Sequence, residues 1–314
     1  MKSTADLIPE MVLASIAPNT TKRYAQGLRT WNVWCSTHGE EAALPVDEFY
    51  LQLFIVSAIQ SSSRFGKVDT TLCSLGWLHE TLNMENPCKS KTIKALQETA
   101  KRRLSKPVRK KEPIAPHHLT SLAKSLTAST LLALRTYTVM LLSYAGFLRY
   151  DEVSRLRRDY IIFESTYMRI FIDHSKPDQH NVGEWVFIAT GTKWTCPVKI
   201  LRYYLRKAKP GQKEFIFRAM NRTKGGHTLR KGNKPIGYTT LREDVLRALA
   251  GIGLDRKNFG LHSMRRGGAT YAANAGINDR LFKKHGRWKT DNAKDGYVAE
   301  DLNAVLSVSR NLGL

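Results

Sequence analysis

The segment from Leu261 to Thr270 places a histidine and an arginine three residues apart, at His262 and Arg265. On a helix, residues at i and i+3 present their side chains on the same face. Arginine holds a phosphate through a planar, bidentate fork, and histidine exchanges a proton near neutral pH. The pair therefore suits chemistry on a phosphodiester, although the same spacing also arises by chance on many solvent-exposed helices.

Residues of related chemistry flank this pair along the chain. Arg149 follows an apolar run that ends in glycine and phenylalanine, and Lys176 lies in a predicted turn between two β-type runs. Trp288 comes after the histidine and arginine, and Tyr297 follows Trp288 by nine residues. The sequence thus contains, in this order, an arginine, a lysine, an HxxR pair, a tryptophan and a tyrosine.

This order and spacing resembles that of the tyrosine recombinases, also called phage-type integrases. Their pattern is an arginine after a helix, a lysine in a β-turn, HxxR, then histidine or tryptophan, and the nucleophilic tyrosine nine residues later. The resemblance covers nearly the whole chain, because the N-terminal region is similar to the family's helical core-binding domain. The segments around Lys176 and Trp288 look most like those of eukaryotic mobile elements, such as DIRS-like or crypton-like transposons.

The resemblance implies a role for each residue of the pattern. Tyr297 would attack the scissile phosphate and form a 3′-phosphotyrosyl bond. This bond conserves the phosphodiester energy, so that rejoining needs neither metal nor ATP. Arg149 and Arg265 would bind the non-bridging oxygens, where charge collects in the transition state. Lys176 would protonate the 5′-oxygen leaving group.

The same resemblance implies three supporting roles. His262 would assist proton transfer from Tyr297. Trp288 would donate a hydrogen bond through its indole N–H or buttress the tyrosine. Glu152, three residues after Arg149, would orient that arginine rather than react.

Two neighbouring residues offer alternatives within this pattern. Lys193 also lies near a turn, so it is the alternative to Lys176 as the general acid. His285 lies three residues before Trp288, outside the expected spacing, and is interpreted as a surface or phosphate-contacting residue.

The distribution of charge indicates a polyanionic partner. The 50 Lys and Arg residues against 27 Asp and Glu residues give a net charge of +23. Residues 1–104 hold 12 basic and 10 acidic residues, so nearly all of the excess lies in residues 105–314. Each neutralised phosphate releases counterions, and double-stranded DNA is the predicted partner. The candidate DNA-binding residues are Lys106, Arg109, Lys110, Lys111, Arg155, Arg157, Arg158, Arg222, Lys224, Arg230, Lys231, Arg266 and Arg287.

Apolar periodicity divides the chain into a helical region and a mixed region. Residues 1–104 show four helical stretches and predict a small core-binding bundle. Residues 105–112 contain a proline and four basic residues and predict a basic linker. Residues 113–314 predict a mostly α catalytic domain with a small antiparallel sheet, and the two domains together predict a DNA clamp.

The predicted sheet precedes a long polar stretch. Its strands are expected at Tyr160–Phe163, Tyr167–Ile172 and Trp185–Ile188, where β-type residues alternate or cluster. Residues 221–237 are rich in Gly, Lys and Arg and predict a loop. Four closely spaced helices are expected to finish the chain.

Composition excludes several other classes of protein. Hydrophobic residues make up 42% and charged residues 25%, an ordinary globular mixture. No apolar run approaches the roughly 18 to 20 residues of a membrane helix, and the first thirty residues lack the order of a signal peptide. The four cysteines form no CxxC pair, so no zinc site, disulfide framework or cofactor is expected. The expected location is on DNA, in the nucleus of a eukaryote or the cytoplasm otherwise.

The family resemblance implies a homotetramer that acts on two duplexes, and two other functions compete with this interpretation. One is a domesticated, non-catalytic DNA-binding protein of the same fold. The complete set of six residues argues against it, because an unselected active site decays. The other is an enzyme similar to a type IB topoisomerase, which shares the tyrosine chemistry but relaxes supercoils as a monomer.

The last fourteen residues predict an amphipathic helix. Leu302, Val305, Leu306 and Leu312 recur near helical spacing in residues 301–314. So short a helix is marginal in water without a partner, so this stripe must be buried somewhere. It docks either on its own catalytic domain or, as the resemblance favours, in a neighbouring protomer, through a head-to-tail contact that closes into a ring.

Overall fold

The computed structural model describes residues 8–107, 109–125, 130–173, 182–224, 226–299 and 302–312. Over these residues the protein is mostly helical with two small antiparallel sheets, which confirms the predicted fold class. The chain divides into two compact units, Met1–Arg109 and Lys110–Leu314. Within the described ranges, no helix combines the length and the apolar character that crossing a membrane requires.

The first unit is a helical bundle. Its helices are α1 (Ile8–Ala14), α2 (Pro18–Thr37), α3 (Glu48–Gln60), α4 (Phe65–Thr81) and α5 (Lys91–Leu104), with a 3₁₀ turn at Pro87–Lys89. Helix α2 packs against α4, and α3 packs against α5. Trp31, Phe54 and Leu72 lie in the resulting core. The sequence predicts four helices here, and α1 is an additional one.

The second unit contains the remaining elements. In chain order these are α6 (Pro116–Ser125), α7 (Leu131–Ala145), α8 (Tyr150–Ser154), a 3₁₀ turn at Arg158–Tyr160, β1 (Ile161–Phe163), β2 (Tyr167–Ile172), β3 (Glu184–Ala189), α9 (Pro197–Ala208), β4 (Met220–Thr223), β5 (Gly226–Leu229), α10 (Tyr238–Ala250), α11 (His262–Asn274), α12 (Asp279–Gly286), α13 (Asp291–Asp295) and α14 (Leu302–Arg310). Helices α11 to α14 are the four closing helices that the sequence predicts.

Helix α7 is the central element of the second unit. It packs against α9, α10 and α11, and all its residues from 134 to 143 are buried. One of them is a charged residue, Arg135, whose guanidinium forms an ion pair with Asp244 of α10 and donates a hydrogen bond of 2.7 Å to the Arg218 carbonyl. Since a buried charge is tolerated only when it is paired, this contact fixes α10 against α7.

The three predicted strands form one sheet in the order β1-β2-β3. Met168, Ile170 and Ile172 of β2 are buried, whereas the alternate residues of the strand are partly exposed. This period of two places one face of the sheet on the core. The register pairs Ile170 with Ile161 on one side and with Val186 on the other.

The prediction of a loop over 221–237 is wrong at its start. Strands β4 and β5 pair antiparallel across this region, with Asn221 opposite Thr228 and Arg222 opposite His227. The strands are short and largely polar, half of their residues are exposed and none is buried, so no alternation of apolar residues marks them in the sequence.

The pair between Arg135 and Asp244 generates a stability prediction. Replacing Asp244 with alanine leaves the Arg135 guanidinium buried without its carboxylate, and such a loss costs about 3–5 kcal/mol. We expect a decrease of this size in the free energy of unfolding, measured by urea denaturation of the full chain. Asp159→Ala, which removes the more exposed ion pair with Arg157, is the control and changes stability by at most about 1 kcal/mol. Equal effects of the two variants would contradict the role of the buried pair.

Candidate active site

The candidate site lies in the second unit, where three segments meet. The turn between α7 and α8 carries Arg149, and α11 carries His262 and Arg265 in its first turn. The segment from α12 to the end of α13 carries Trp288, and Tyr297 lies two residues after α13. Six of the seven residues predicted to act on a phosphodiester or to support that action come together here.

Two adjacent glycines allow α11 to approach its neighbours closely enough to build this site. A Cβ atom on Gly267 would lie 2.1 Å from the carbonyl oxygen of Ile114. A Cβ atom on Gly268 would lie 2.1 Å from the carbonyl oxygen of Tyr144, in α7. Because backbone cannot move aside as a flexible side chain can, both positions require glycine.

Arg265 is the buried centre of the site, with 0% of the residue exposed. Its guanidinium donates hydrogen bonds to the carbonyl oxygens of Phe147 and Gly286, the latter at 2.6 Å. Burial first, and then the positive charge of Arg149, lower the pKa of Arg265 to about 9. The group therefore keeps its positive charge at neutral pH.

Two aromatic rings lie against this guanidinium. The Arg265 Cζ atom lies 4.9 Å from the centre of the Trp288 ring and 4.8 Å from that of Tyr297. The two ring centres are 5.5 Å apart, and the His262 ring lies 6.5 Å from Tyr297. Cation–π attraction favours this packing, which places the tyrosine beside a fixed positive charge. The Arg265 Nε and Trp288 Nε1 atoms are buried and have no hydrogen-bond partner among the described residues.

The backbone around Tyr297 is attached to α11. The Thr270 hydroxyl donates to the Tyr297 carbonyl at 3.4 Å and accepts from the Ala299 amide at 3.0 Å. The Lys110 ammonium also donates to the Gly296 carbonyl at 3.2 Å. The helix that supplies His262 and Arg265 thus also positions the tyrosine.

Arg149 is held by Glu152, as the sequence predicts for an orienting carboxylate. Its guanidinium donates to Glu152 Oε1 at 2.8 Å, and its backbone amide donates to Oε2 at 2.8 Å. Burial raises the pKa of Glu152, but the charges of Arg287, Arg149 and Arg265 outweigh burial and hold that pKa below its usual range. The carboxylate is ionised at neutral pH and fixes Arg149 at the start of α8.

Arg287 is directed into the protein rather than towards solvent. The residue is 7% exposed, and its guanidinium pairs with Glu152 Oε2 at 2.8 Å. It also donates to the carbonyls of Gly146 and Phe147, at 3.2 and 3.1 Å. The expectation of a direct phosphate contact is therefore corrected, because the side chain has turned into the protein.

His285 also differs from its predicted surface position. Its ring Nε2 lies 2.8 Å from the Ala145 carbonyl oxygen, and its ring packs edge-on against Phe147 at 4.7 Å between centres. Burial lowers the pKa of His285 below its usual value, which favours the neutral ring. The histidine is thus a packing residue behind the turn that leads to Arg149.

The predicted general acid belongs to the connection between β2 and β3. Lys176 lies outside the described residues, so its position relative to Tyr297 stays a prediction. The alternative, Lys193, is exposed just after β3.

Most of the remaining candidate DNA-binding residues are exposed. These are Lys106, Arg109, Lys110, Lys111, Arg155, Arg222, Lys224, Arg230 and Lys231. Arg157 and Arg158 are partly buried, and Arg157 is held by Asp159 through two hydrogen bonds of 3.0 and 2.6 Å. Arg266 donates to the Lys111 carbonyl at 2.6 Å. Arg157, Arg158 and Arg266 thus have intramolecular partners that a phosphate would have to share or displace.

The geometry suits attack of a phenol on a phosphate. Arg149 and Arg265 provide fixed positive charge, and the centre of the His262 ring lies 6.5 Å from that of the Tyr297 ring. Donors aimed in advance at a developing oxyanion contribute strongly to catalysis, because they need no rearrangement during the reaction. The described part of the site thus brings together the residues that the sequence predicts as the nucleophile, the charge-stabilising groups and the proton-transfer group.

One curated relative resembles the chain over most of its length. An integrase/recombinase described as a XerD homolog, from Selenomonas ruminantium, is 26% identical over 291 residues. The match covers 91% of this chain and 83% of the relative. No family model matches the chain.

Several solved structures share the fold. The XerH site-specific recombinase bound to its palindromic difH substrate has a TM-score of 0.66 at 16% identity, covering 93% of this chain and 79% of its own. The Tn1549 transposon integrase with transposon right-end DNA has a TM-score of 0.63 at 14% identity, covering 95% of both chains. A lambda integrase dimer on a core site has a TM-score of 0.58 at 16% identity, covering 92% of this chain and 75% of its own.

Proposed function

We infer that this protein is a tyrosine-type recombinase that cleaves and rejoins double-stranded DNA at specific sites through Tyr297. The observation that carries the proposal is the packing of the Tyr297 ring on the buried Arg265 guanidinium, 4.8 Å away. A tyrosine that served only the core would need no charge beside it. The unit that contains the site also holds nearly all of the chain's excess positive charge, which suits a polyanionic substrate.

In the proposed cleavage step, side chains of this protein account for each bond and each proton. The Tyr297 oxygen attacks the scissile phosphorus as the bond from phosphorus to the 5′-oxygen breaks, leaving a 3′-phosphotyrosyl bond. His262 takes up the phenol proton, and Lys176 gives a proton to the leaving oxygen. Arg149 and Arg265 stabilise the non-bridging oxygens. Rejoining runs the same steps in reverse with a 5′-hydroxyl from the partner strand.

The proposal also assigns a role to each domain and a type of mobile element from which the protein derives. Residues 1–104 form the core-binding domain, 105–112 the linker and 113–314 the catalytic domain, and the two domains close on DNA as a clamp. The exposed basic residues of the catalytic domain contact DNA backbone. The parent is a mobile element of the DIRS or crypton type, which places the protein in a nucleus.

The assembly proposed is a homotetramer on two DNA sites, joined by the C-terminal helix. Val305, Leu306 and Leu312 are 51%, 36% and 64% exposed, so these three apolar side chains are not buried on their own unit. The same unit has an open apolar cavity of about 570 Å³, lined by residues that include Tyr144, Phe282 and Leu281. We expect the tail of a neighbouring protomer to occupy this cavity, which closes a ring.

The nucleophile is tested with Tyr297→Phe, which removes one oxygen and leaves the ring packing intact. Nicked duplexes that tile the DNA flanking the gene are incubated with protein and resolved on a denaturing gel. We expect a covalent complex with the native chain and none with the variant, while DNA affinity stays within about threefold, a difference under 1 kcal/mol. Tyr203→Phe, an exposed tyrosine of α9, is the control and retains the complex. A persistent covalent band in Tyr297→Phe would exclude this residue as the nucleophile.

The general acid is tested by changing the leaving group. A 5′-bridging sulfur leaves without a proton, so it removes the need for an acid. Lys176→Ala should cleave an ordinary duplex poorly and the sulfur duplex at nearly the native rate. Rates are measured as covalent complex formed per unit time on both substrates, with Lys193→Ala in parallel. If only Lys193→Ala shows the sulfur rescue, the role belongs to Lys193.

The assembly is tested from both sides of the proposed contact. Deleting residues 301–314 should abolish the cooperative complex on a two-site duplex while leaving single-site binding nearly intact. Leu281→Glu, in the cavity, should have the same effect, because a charged side chain opposes burial of an apolar tail. Gel shift and light scattering measure both properties. If the truncated protein still assembles cooperatively, or unfolds, the tail belongs to its own catalytic domain.

A further inference from the structure

Arg287 has a backbone conformation that its residue type does not favour. It ends α12 at φ +54° and ψ +42°, in the left-handed region, directly before Trp288. This conformation is unfavourable for a residue with a Cβ atom, whereas glycine adopts it freely. The backbone alone would therefore be served better by glycine, and the reason for an arginine must lie in its side chain.

The side chain of Arg287 is directed at the turn that leads to Arg149. Its Nη2 atom lies 2.8 Å from Glu152 Oε2 and 3.1 Å from the Phe147 carbonyl oxygen. Its Nη1 atom lies 3.2 Å from the Gly146 carbonyl oxygen. The side chains of Arg287 and Glu152 are 3% and 1% exposed, so water does not screen their interaction.

Glu152 consequently serves two arginines at once. Its Oε1 atom accepts from the Arg149 guanidinium, and its Oε2 atom accepts both from the Arg149 amide and from Arg287. With Arg149 as its sole partner, this buried carboxylate would cancel the charge that Arg149 needs for a phosphate. With Arg287 present, the site holds three positive guanidinium groups, those of Arg149, Arg265 and Arg287. The single carboxylate of Glu152 leaves them a net charge of two.

Two positive charges match the requirement of the reaction. A phosphodiester carries one negative charge, and its transition state after attack by a phenolate carries two. Charge that is fixed beside the reacting oxygens before the reaction stabilises the transition state more than the substrate.

We propose that Arg287 is a positioning residue that takes up the charge of Glu152, so that Arg149 and Arg265 keep theirs for the scissile phosphate. The proposal rests on the proposed function, since it assigns a residue to the same reaction. Arg287 touches no substrate. It acts through Glu152, and its place next to Trp288 joins the end of α12 to the turn that carries Arg149.

The experiment separates this electrostatic role from a structural one. Arg287→Met leaves one net positive charge, and the double variant Arg287→Met with Glu152→Gln restores two. At saturating DNA, we expect Arg287→Met to slow covalent complex formation about 10- to 100-fold, by analogy with the loss of an outer-shell partner that orients a metal ligand. The double variant should recover about tenfold of that loss, although it lacks both side chains of the pair. Arg287→Lys should retain more activity than Arg287→Met, because it keeps the charge.

A matched control removes an exposed pair of the same unit. Arg256 and Glu243 form an ion pair in which the side chains are 49% and 39% exposed. Arg256→Met, alone or with Glu243→Gln, should leave the rate of covalent complex formation unchanged. Melting temperatures of all variants establish that they are folded.

A second measurement does not depend on cleavage. Inorganic phosphate, compared with chloride at equal ionic strength, should raise the melting temperature of the native chain more than that of Arg287→Met, and the double variant should regain the difference. The inference is overturned if Arg287→Met forms the covalent complex at the native rate, or if the double variant is no better than Arg287→Met. If the native chain forms no covalent complex with any duplex, the proposed function fails, and the phosphate comparison alone decides the role of Arg287.

Discussion

The guanidinium of Arg265 is the interaction on which the site depends. A charge held away from water needs compensating partners, and here these are the carbonyl oxygens of Phe147 and Gly286 and two aromatic faces. Those carbonyls belong to the turn after α7 and to the end of α12. The positive charge therefore fixes the backbone of two segments that are far apart in sequence, and these same segments carry Arg149 and Trp288.

The turn after α7 must supply hydrogen-bond acceptors to the buried guanidinium groups of Arg265 and Arg287. Phe147 has φ +47°, an uncommon conformation for a residue with a side chain. In this conformation its carbonyl accepts hydrogen bonds from both Arg265 and Arg287, and its ring lies in the small apolar cluster with Phe282 and Trp288. Apolar packing and charge compensation thus stabilise the same strained residue, as is common at functional sites.

The order and spacing of the candidate catalytic residues are visible in the sequence because the proposed chemistry restricts them to particular residue types. His262, Arg265 and Tyr297 are therefore predicted before any fold is known, and the structure brings them together. The burial of Arg287 cannot be predicted in this way, because an arginine in a basic segment has the same appearance whether it faces solvent or a buried carboxylate. Its one local signal, a position just after a helix where glycine is usual, becomes visible only with the backbone angles. The β4–β5 hairpin is missed for a related reason, since its strands bury too little apolar surface to leave a pattern.

Two buried hydrogen-bond donors beside Tyr297 lower the stability of the fold. Arg265 Nε and Trp288 Nε1 are buried without partners among the described residues, and each such group costs a fold about 1–3 kcal/mol. Folding has already oriented these dipoles, so an oxyanion brought to them in the proposed reaction would not need the reorganisation that water undergoes around the same charge. Under the proposed function, the stability of the second unit and the speed of cleavage are therefore opposed, and substitutions that give these donors internal partners would make the protein more stable and slower.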